Sequence, residues 1–172
     1  PLKLYVVAGE ASGDLHGSNM MLALLEENPD IQFRFWGGDR MKAIRPDGLA
    51  KHIKELAFMG FVEVIANLGT ILKNISFCKK DIEAYQPDAI VLVDYPGFNL
   101  RIAEWAKSKG IKVYYYISPS IWAWKESRVH KIKKVVDHMF VILPFEKAFY
   151  AKHNYEVQYV GNPLIDEISK YK

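Results

Sequence analysis

Leu4-Tyr5-Val6-Val7-Ala8-Gly9-Glu10-Ala11-Ser12-Gly13-Asp14 is the stretch from which the rest of the chain is read. Leu4 to Ala8 is uniformly apolar, and Gly9 closes the run. A run that short, without alternation, reads as a strand buried on both faces, the pattern of a parallel sheet. Gly9 to Asp14 is a turn with good helix N-cap choices. Leu15, Leu22 and Leu25 then recur at helical spacing up to Glu27, with Met20, Met21 and Leu24 widening the stripe. Asn28-Pro29-Asp30 ends it. Strand, polar turn and helix make the first half of a βαβ unit.

Outward from this stretch the unit repeats. Ile31 to Trp36 reads as a strand ending at Gly37-Gly38. A short helix from Arg40 to Ile44, a turn at Pro46-Asp47-Gly48 and a weak strand from Ala50 to Ile53 follow. A helical region from about Gly60 to Tyr85 is broken near Asn67 to Thr70. Ala89 to Val93 is the clearest strand and ends at Asp94; Leu100 to Lys109 is a helix that Gly110 caps. Val113 to Ile117 is a strand that delivers the chain to Ser118-Pro119-Ser120-Ile121-Trp122-Ala123-Trp124. Helices from Lys125 to Val135 and Phe145 to His153 alternate with strands from His138 to Ile142 and Val157 to Val160. Five or six strands alternating with helices predict an α/β fold. It is a doubly wound, mostly parallel Rossmann-like sheet with helices on both faces, forming one domain over residues 1–172. Ligands of such sheets lie beyond the strand C-termini. The turns Gly9 to Asp14, Gly37 to Arg40, Asp94 to Asn99 and Ser118 to Trp124 are therefore expected to converge.

Composition narrows the function. The chain has 172 residues, half of them apolar and a quarter charged, as expected of a globular domain with a full core. A net charge of +3, with no Lys/Arg block or RNA-binding aromatic motif, argues against nucleic acid. The single cysteine, Cys78, cannot form an internal disulfide and reads as a packed thiol in a helix. The histidines show no metal-ligand spacing, there is no G-x-S-x-G elbow, and neither a metal nor a cofactor is expected. No signal-peptide pattern opens the chain and no run reaches the roughly 18 apolar residues of a membrane span. The expectation is a cytoplasmic protein whose membrane contact is peripheral.

Several residues can carry chemistry. Gly9, Ser12 and Gly13 open a helix that reads either as a tight βα turn with a capped helix or as one whose free N–H groups and positive dipole end suit an anion. Glu10 and Asp14 in the same turn would repel a phosphate unless they bind sugar hydroxyls or a proton. Asp94 leaves an apolar strand, and partial desolvation moves a carboxylate toward the range of a general base. Position alone leaves Asp94 open between that role and a cap on the turn Tyr95-Pro96-Gly97. Trp122 and Trp124, beside the hydroxyls of Ser118 and Ser120, can stack on a sugar, an acyl chain or a base; one of the pair is as well placed to anchor the core. Phe58, Met59, Phe61, Val62 and Ile65 crowd more apolar bulk than one helix face readily buries. The stretch reads either as an all-buried helix start or as an excess that meets a lipid surface or an acyl chain. Arg128 belongs to a basic run, Lys125 to Lys134, that reads as a solvated face or as a site for anionic headgroups.

Taken in order, these turns resemble the lipid-A-disaccharide synthase family, glycosyltransferases of the GT-B architecture. The matching segments are Ala8 to Gly17, Gly37 to Met41, Met59 to Val64, Asp94 to Asn99, Ser118 to Trp124, Leu143 to Glu146 and Val160 to Leu164. The resemblance implies transfer of 2,3-diacylglucosamine from its UDP donor to 2,3-diacylglucosamine 1-phosphate. The new linkage is β-1,6, the anomeric centre inverts and UDP leaves. Asp94 is implied as the base that takes the proton from the acceptor 6-hydroxyl, with Glu10 as second choice or as a residue orienting the acceptor. Asn99, Asp14 and the Ser118 to Trp124 loop are implied on the substrate side. The family pattern is not met everywhere: Gly97 stands where a second Asp is frequent, Asp39 where Pro is common, and Asn162 where His is common.

GT-B enzymes have two Rossmann-like domains, and the C-terminal one supplies most nucleotide-sugar contacts. The resemblance therefore implies that residues 1–172 are the N-terminal, acceptor-side half, inactive alone. The implied partners are the UDP-sugar donor, the acylated sugar-phosphate acceptor, the cytoplasmic face of the inner membrane and the chain's own C-terminal domain, with room for a homodimer. A sugar-nucleotide epimerase-like domain, which does not explain the apolar stretch, and a non-catalytic Rossmann-like ligand-binding module are the alternatives.

Overall fold

The structure, a computed structural model, describes residues 1–56, 68–117, 133–141 and 158–159. In chain order the elements are β1 (Lys3–Ala8), α1 (Ala11–Glu27), β2 (Gln32–Gly37), α2 (Asp39–Ile44), β3 (Leu49–His52), α3 (Leu68–Tyr85), β4 (Ala89–Val93), α4 (Pro96–Ser108), β5 (Lys112–Ile117), β6 (His138–Val141) and β7 (Gln158–Tyr159). The strands form one sheet in the order β3-β2-β1-β4-β5-β6-β7, and every described pairing is parallel. The doubly wound reading holds. Seven strands pair where the pattern supports five or six. The edge strands β3 and β7, four and two residues long, are too short to show a period of their own.

Alternation along each strand assigns the two faces. Tyr5, Val7, Ile90, Leu92, Val113 and Tyr115 pack with Cys78 and Ile82 of α3 and with Ile102, Ala103 and Ala106 of α4. Leu4, Val6, Val91, Val93, Tyr114 and Phe140 pack with Met20, Met21 and Leu24 of α1 and with Met41 of α2. The Cys78 thiol is buried, and burial pushes it far above its usual range. On the first face Asp81 of α3 ties the helix to the sheet. Its carboxylate accepts from Arg34 Nε at 2.6 Å, Arg34 Nη2 at 2.7 Å and the Tyr5 hydroxyl at 2.7 Å.

Two helices begin earlier than the apolar periodicity predicts. α1 starts at Ala11 and α4 at Pro96, which takes the first helical position where a missing N–H costs nothing. The α1 stripe also turns. Leu15 and Leu22 are 38% and 53% exposed, while the buried face runs through Gly13, Asp14, Gly17, Ser18, Met20, Met21 and Leu24. A Cβ at Gly13 would lie 3.2 Å from the Ala8 Cβ, so α1 approaches β1 closely just where the apolar pattern is silent.

Candidate functional site

The strand order reverses at β1, which has β2 on one side and β4 on the other. A doubly wound sheet opens its ligand crevice at such a switch point, outside the strand C-termini. By that rule the crevice is expected between the turns Gly9-Glu10 and Asp94-Tyr95.

The first turn is short. Glu10 is the N-cap residue of α1, with extended backbone and no side-chain cap hydrogen bond. Its carboxyl is raised from the ordinary value, first by burial and then by the charge of Asp94. Two carboxylates on neighbouring strand ends are thus coupled across the switch point. Ser12 is exposed in the first turn of α1.

The second turn is strained. Asp94 and Tyr95 both adopt left-handed backbone, at φ 46° and 51°. Non-glycine residues there cost about 1–3 kcal/mol each and persist only where the surroundings impose them. Asp94 is buried at 9% exposure. Its N–H donates to the Tyr116 carbonyl at 2.8 Å. Its carbonyl accepts from Asn99 Nδ2 at 2.8 Å and from the Tyr115 hydroxyl at 2.6 Å. The Tyr95 ring lies over Gly9, where a Cβ would come within 2.4 Å of it, so any larger residue after β1 must displace that ring. Burial, and then the Glu10 charge, raise the Tyr95 phenol.

Two residues expected on the substrate side have their side chains bonded within the fold. The Asp14 carboxylate accepts from the backbone N–H groups of Gly38 at 2.8 Å, Met41 at 3.0 Å and Arg40 at 3.1 Å. It caps the α2 N-terminus, which lacks a side-chain cap of its own. Asn99 is fully buried, and its Nδ2 donates to the carbonyls of Val7, Val93 and Asp94 at 3.2, 3.3 and 2.8 Å. It ties the ends of β1 and β4 together. Gly9, Glu10, Gly13 and Asp94 do meet at the switch point. Ser118, Ser120, Trp122, Trp124, Arg128, Phe58, Met59, Phe61, Val62 and Ile65 lie outside the described residues.

Sequence reasoning missed the tyrosines. Tyr95 packs against Gly9 and Tyr115 bonds Asp94. Tyr116, raised by burial, has the His16 ring 6.2 Å away. The signal was Tyr114-Tyr115-Tyr116 inside a buried strand. A buried phenol needs a hydrogen-bond partner, and alternation sends neighbouring ones to opposite faces.

The family model for lipid-A-disaccharide synthetase matches residues 4–172. The chain belongs to that family. It is 45% identical over 167 residues to the lipid-A-disaccharide synthase of Geobacter metallireducens, covering 97% of this chain and 43% of the relative. It is 44% identical over 166 residues to that of Trichlorobacter lovleyi, covering 96% of this chain and 43% of the relative. The chain thus spans less than half the length of these relatives. Among solved structures it resembles the UDP-GlcNAc 2-epimerase from Neisseria meningitidis bound to UDP-GlcNAc. The TM-score is 0.66 at 14% identity, over 96% of this chain and 48% of that one. The epimerase from Methanocaldococcus jannaschii gives 0.56 at 16% identity, over 99% and 50%. These likenesses show a shared fold.

Proposed function

We propose that the chain forms the acceptor-side half of a lipid A disaccharide glycosyltransferase, with Asp94 as its general base. The observation that carries this is the placement of Asp94. In a chain of this family it ends the central strand β4 at the switch point, on a strained turn, electrostatically coupled to Glu10. Inverting transfer from an α-linked UDP-2,3-diacylglucosamine needs a base on the acceptor 6-hydroxyl. Asp94 takes that proton as the hydroxyl attacks the anomeric carbon and UDP departs with the bonding electrons. Glu10, with its raised carboxyl, binds or orients the acceptor beside it. Gly9, Ser12 and Gly13, at the α1 N-terminus, line the acceptor side. The remaining length seen in the relatives supplies the nucleotide contacts. The test is Asp94→Asn in the full-length protein, assayed for disaccharide formation. We expect kcat to fall roughly hundredfold or more; wild-type turnover would sink the assignment.

Acylated substrates bring the site to a membrane surface, here read as the cytoplasmic face of the inner membrane. One observation supports peripheral contact. The sequence from Phe58 to Ile65 is crowded with large apolar residues, and α3 continues it with Leu68 and Leu72, exposed at 59% and 55%. No helix among the described residues is long and apolar enough to cross a membrane. Replacing Phe58, Met59 and Phe61 with Ser should release the full-length protein from vesicles or raise KM for the acceptor. No change in either would remove the lipid-contact reading.

A further inference from the structure

The direction in which a side chain leaves the backbone is set by the two peptide groups flanking its Cα. At Asp94 both are held. The N–H is fixed on the Tyr116 carbonyl, and the carbonyl is gripped from two elements, by Asn99 of α4 and by Tyr115 of β5. The grips differ in quality. Asn99 divides one amide among three carbonyls, two of them beyond 3.1 Å. The Tyr115 hydroxyl donates at 2.6 Å from a fully buried ring. Tyr115 pairs in register with Leu92 and reaches along the strand to the residue just beyond β4. It therefore holds the Asp94 peptide in a left-handed conformation that an unrestrained aspartate would leave.

We propose that Tyr115 is a positioning residue for Asp94: its buried hydroxyl, by fixing the Asp94 carbonyl, aims the Asp94 carboxylate into the crevice. The inference rests on the reading of Asp94 as the base. Without the hydroxyl the turn keeps only the shared Asn99 amide on that carbonyl among the described donors, and the peptide can rotate toward ordinary backbone. A rotation that moves the carboxylate by about 1 Å costs roughly hundredfold in the chemical step and leaves substrate binding largely intact.

The experiment is Tyr115→Phe in the full-length protein, which keeps the ring and its packing. Steady-state kinetics with both acylated substrates are run beside thermal unfolding, and alongside Asp94→Asn and the double variant. For Tyr115→Phe we expect kcat to fall roughly tenfold to hundredfold, with KM for each substrate within about twofold. In the Asp94→Asn background the second change should cost nothing more in kcat, because it acts through a carboxylate no longer there. If Tyr115→Phe keeps wild-type kcat while Asp94→Asn loses it, the positioning role is wrong and the base assignment stands. A Tyr115→Phe loss that multiplies in full onto Asp94→Asn would likewise overturn it, as would a loss that only tracks the fraction of unfolded protein. If Asp94→Asn turns over normally, the base reading fails first and the positioning role falls with it.

Discussion

The turns after β1 and β4 do the same work by different means. Each places a carboxylate at a strand tip, Glu10 and Asp94, and each follows it within one helical turn or so by a buried polar residue, Asp14 and Asn99. In both turns the deeper residue ties neighbouring elements together: Asp14 holds the start of α2, and Asn99 holds the ends of β1 and β4. The tips differ. Glu10 reaches α1 through extended backbone, whereas Asp94 and Tyr95 pass through two left-handed residues. Strain held from two neighbouring elements, α4 and β5, is concentrated on one carboxylate, and that singles out Asp94 as the residue whose direction matters.

The largest effect within this comparison is expected at Asp14. Asp14→Ala leaves buried N–H groups of Gly38 and Met41 without their acceptor, at a cost of about 2 kcal/mol. Tm of the full-length protein should fall by roughly 2–4 °C. Asp14→Asn keeps an Oδ1 for those two groups and loses the Arg40 contact, so it should cost clearly less. Turnover of the folded fraction should stay near normal in both. A large rise in KM at unchanged Tm would instead return Asp14 to the substrate.

Gly9 comes next. Gly9→Ala drives a methyl into the Tyr95 ring, which is only half-buried and can swing aside. We expect about 1 kcal/mol of lost stability. The larger consequence is on kcat, because Tyr95 is one peptide away from Asp94. If kcat is unchanged while Tm falls, the two strand tips are not mechanically linked.

How much of this the sequence shows follows from where the partners lie. β1, β4 and β5 are legible because uninterrupted apolar runs announce strands buried on both faces. Asp94 is legible because a carboxylate at the end of such a run is conspicuous. The α1 face is not, since its buried side passes through Gly13, Gly17 and Ser18, which carry no apolar signal. Nor are the roles of Asp14 and Asn99. The donors to Asp14 lie 24 to 27 residues away and the Val7 acceptor of Asn99 lies 92 away, distances that only the fold closes. Tyr115 falls between: a phenol in a buried strand demands a partner, but register alone decides which.

The smallest effect is at Glu10, and it has a sign. The folded carboxyl is raised, so the native state holds its proton more tightly than the unfolded chain does. Stability therefore falls as pH rises from the ordinary carboxylate value through the raised one. Glu10→Gln removes that penalty. The variant should match the parent below about pH 4 and exceed it at neutral pH. Glu10 is only partly shielded from solvent, which limits the gain to about 1–2 °C in Tm. Burial is the larger cause and the Asp94 charge the smaller, so most of the gain should survive in an Asp94→Asn background. If Glu10→Gln lowers Tm at neutral pH, Glu10 has an attractive partner at the switch point. The two strand tips would then not be the mutually repelling pair inferred above.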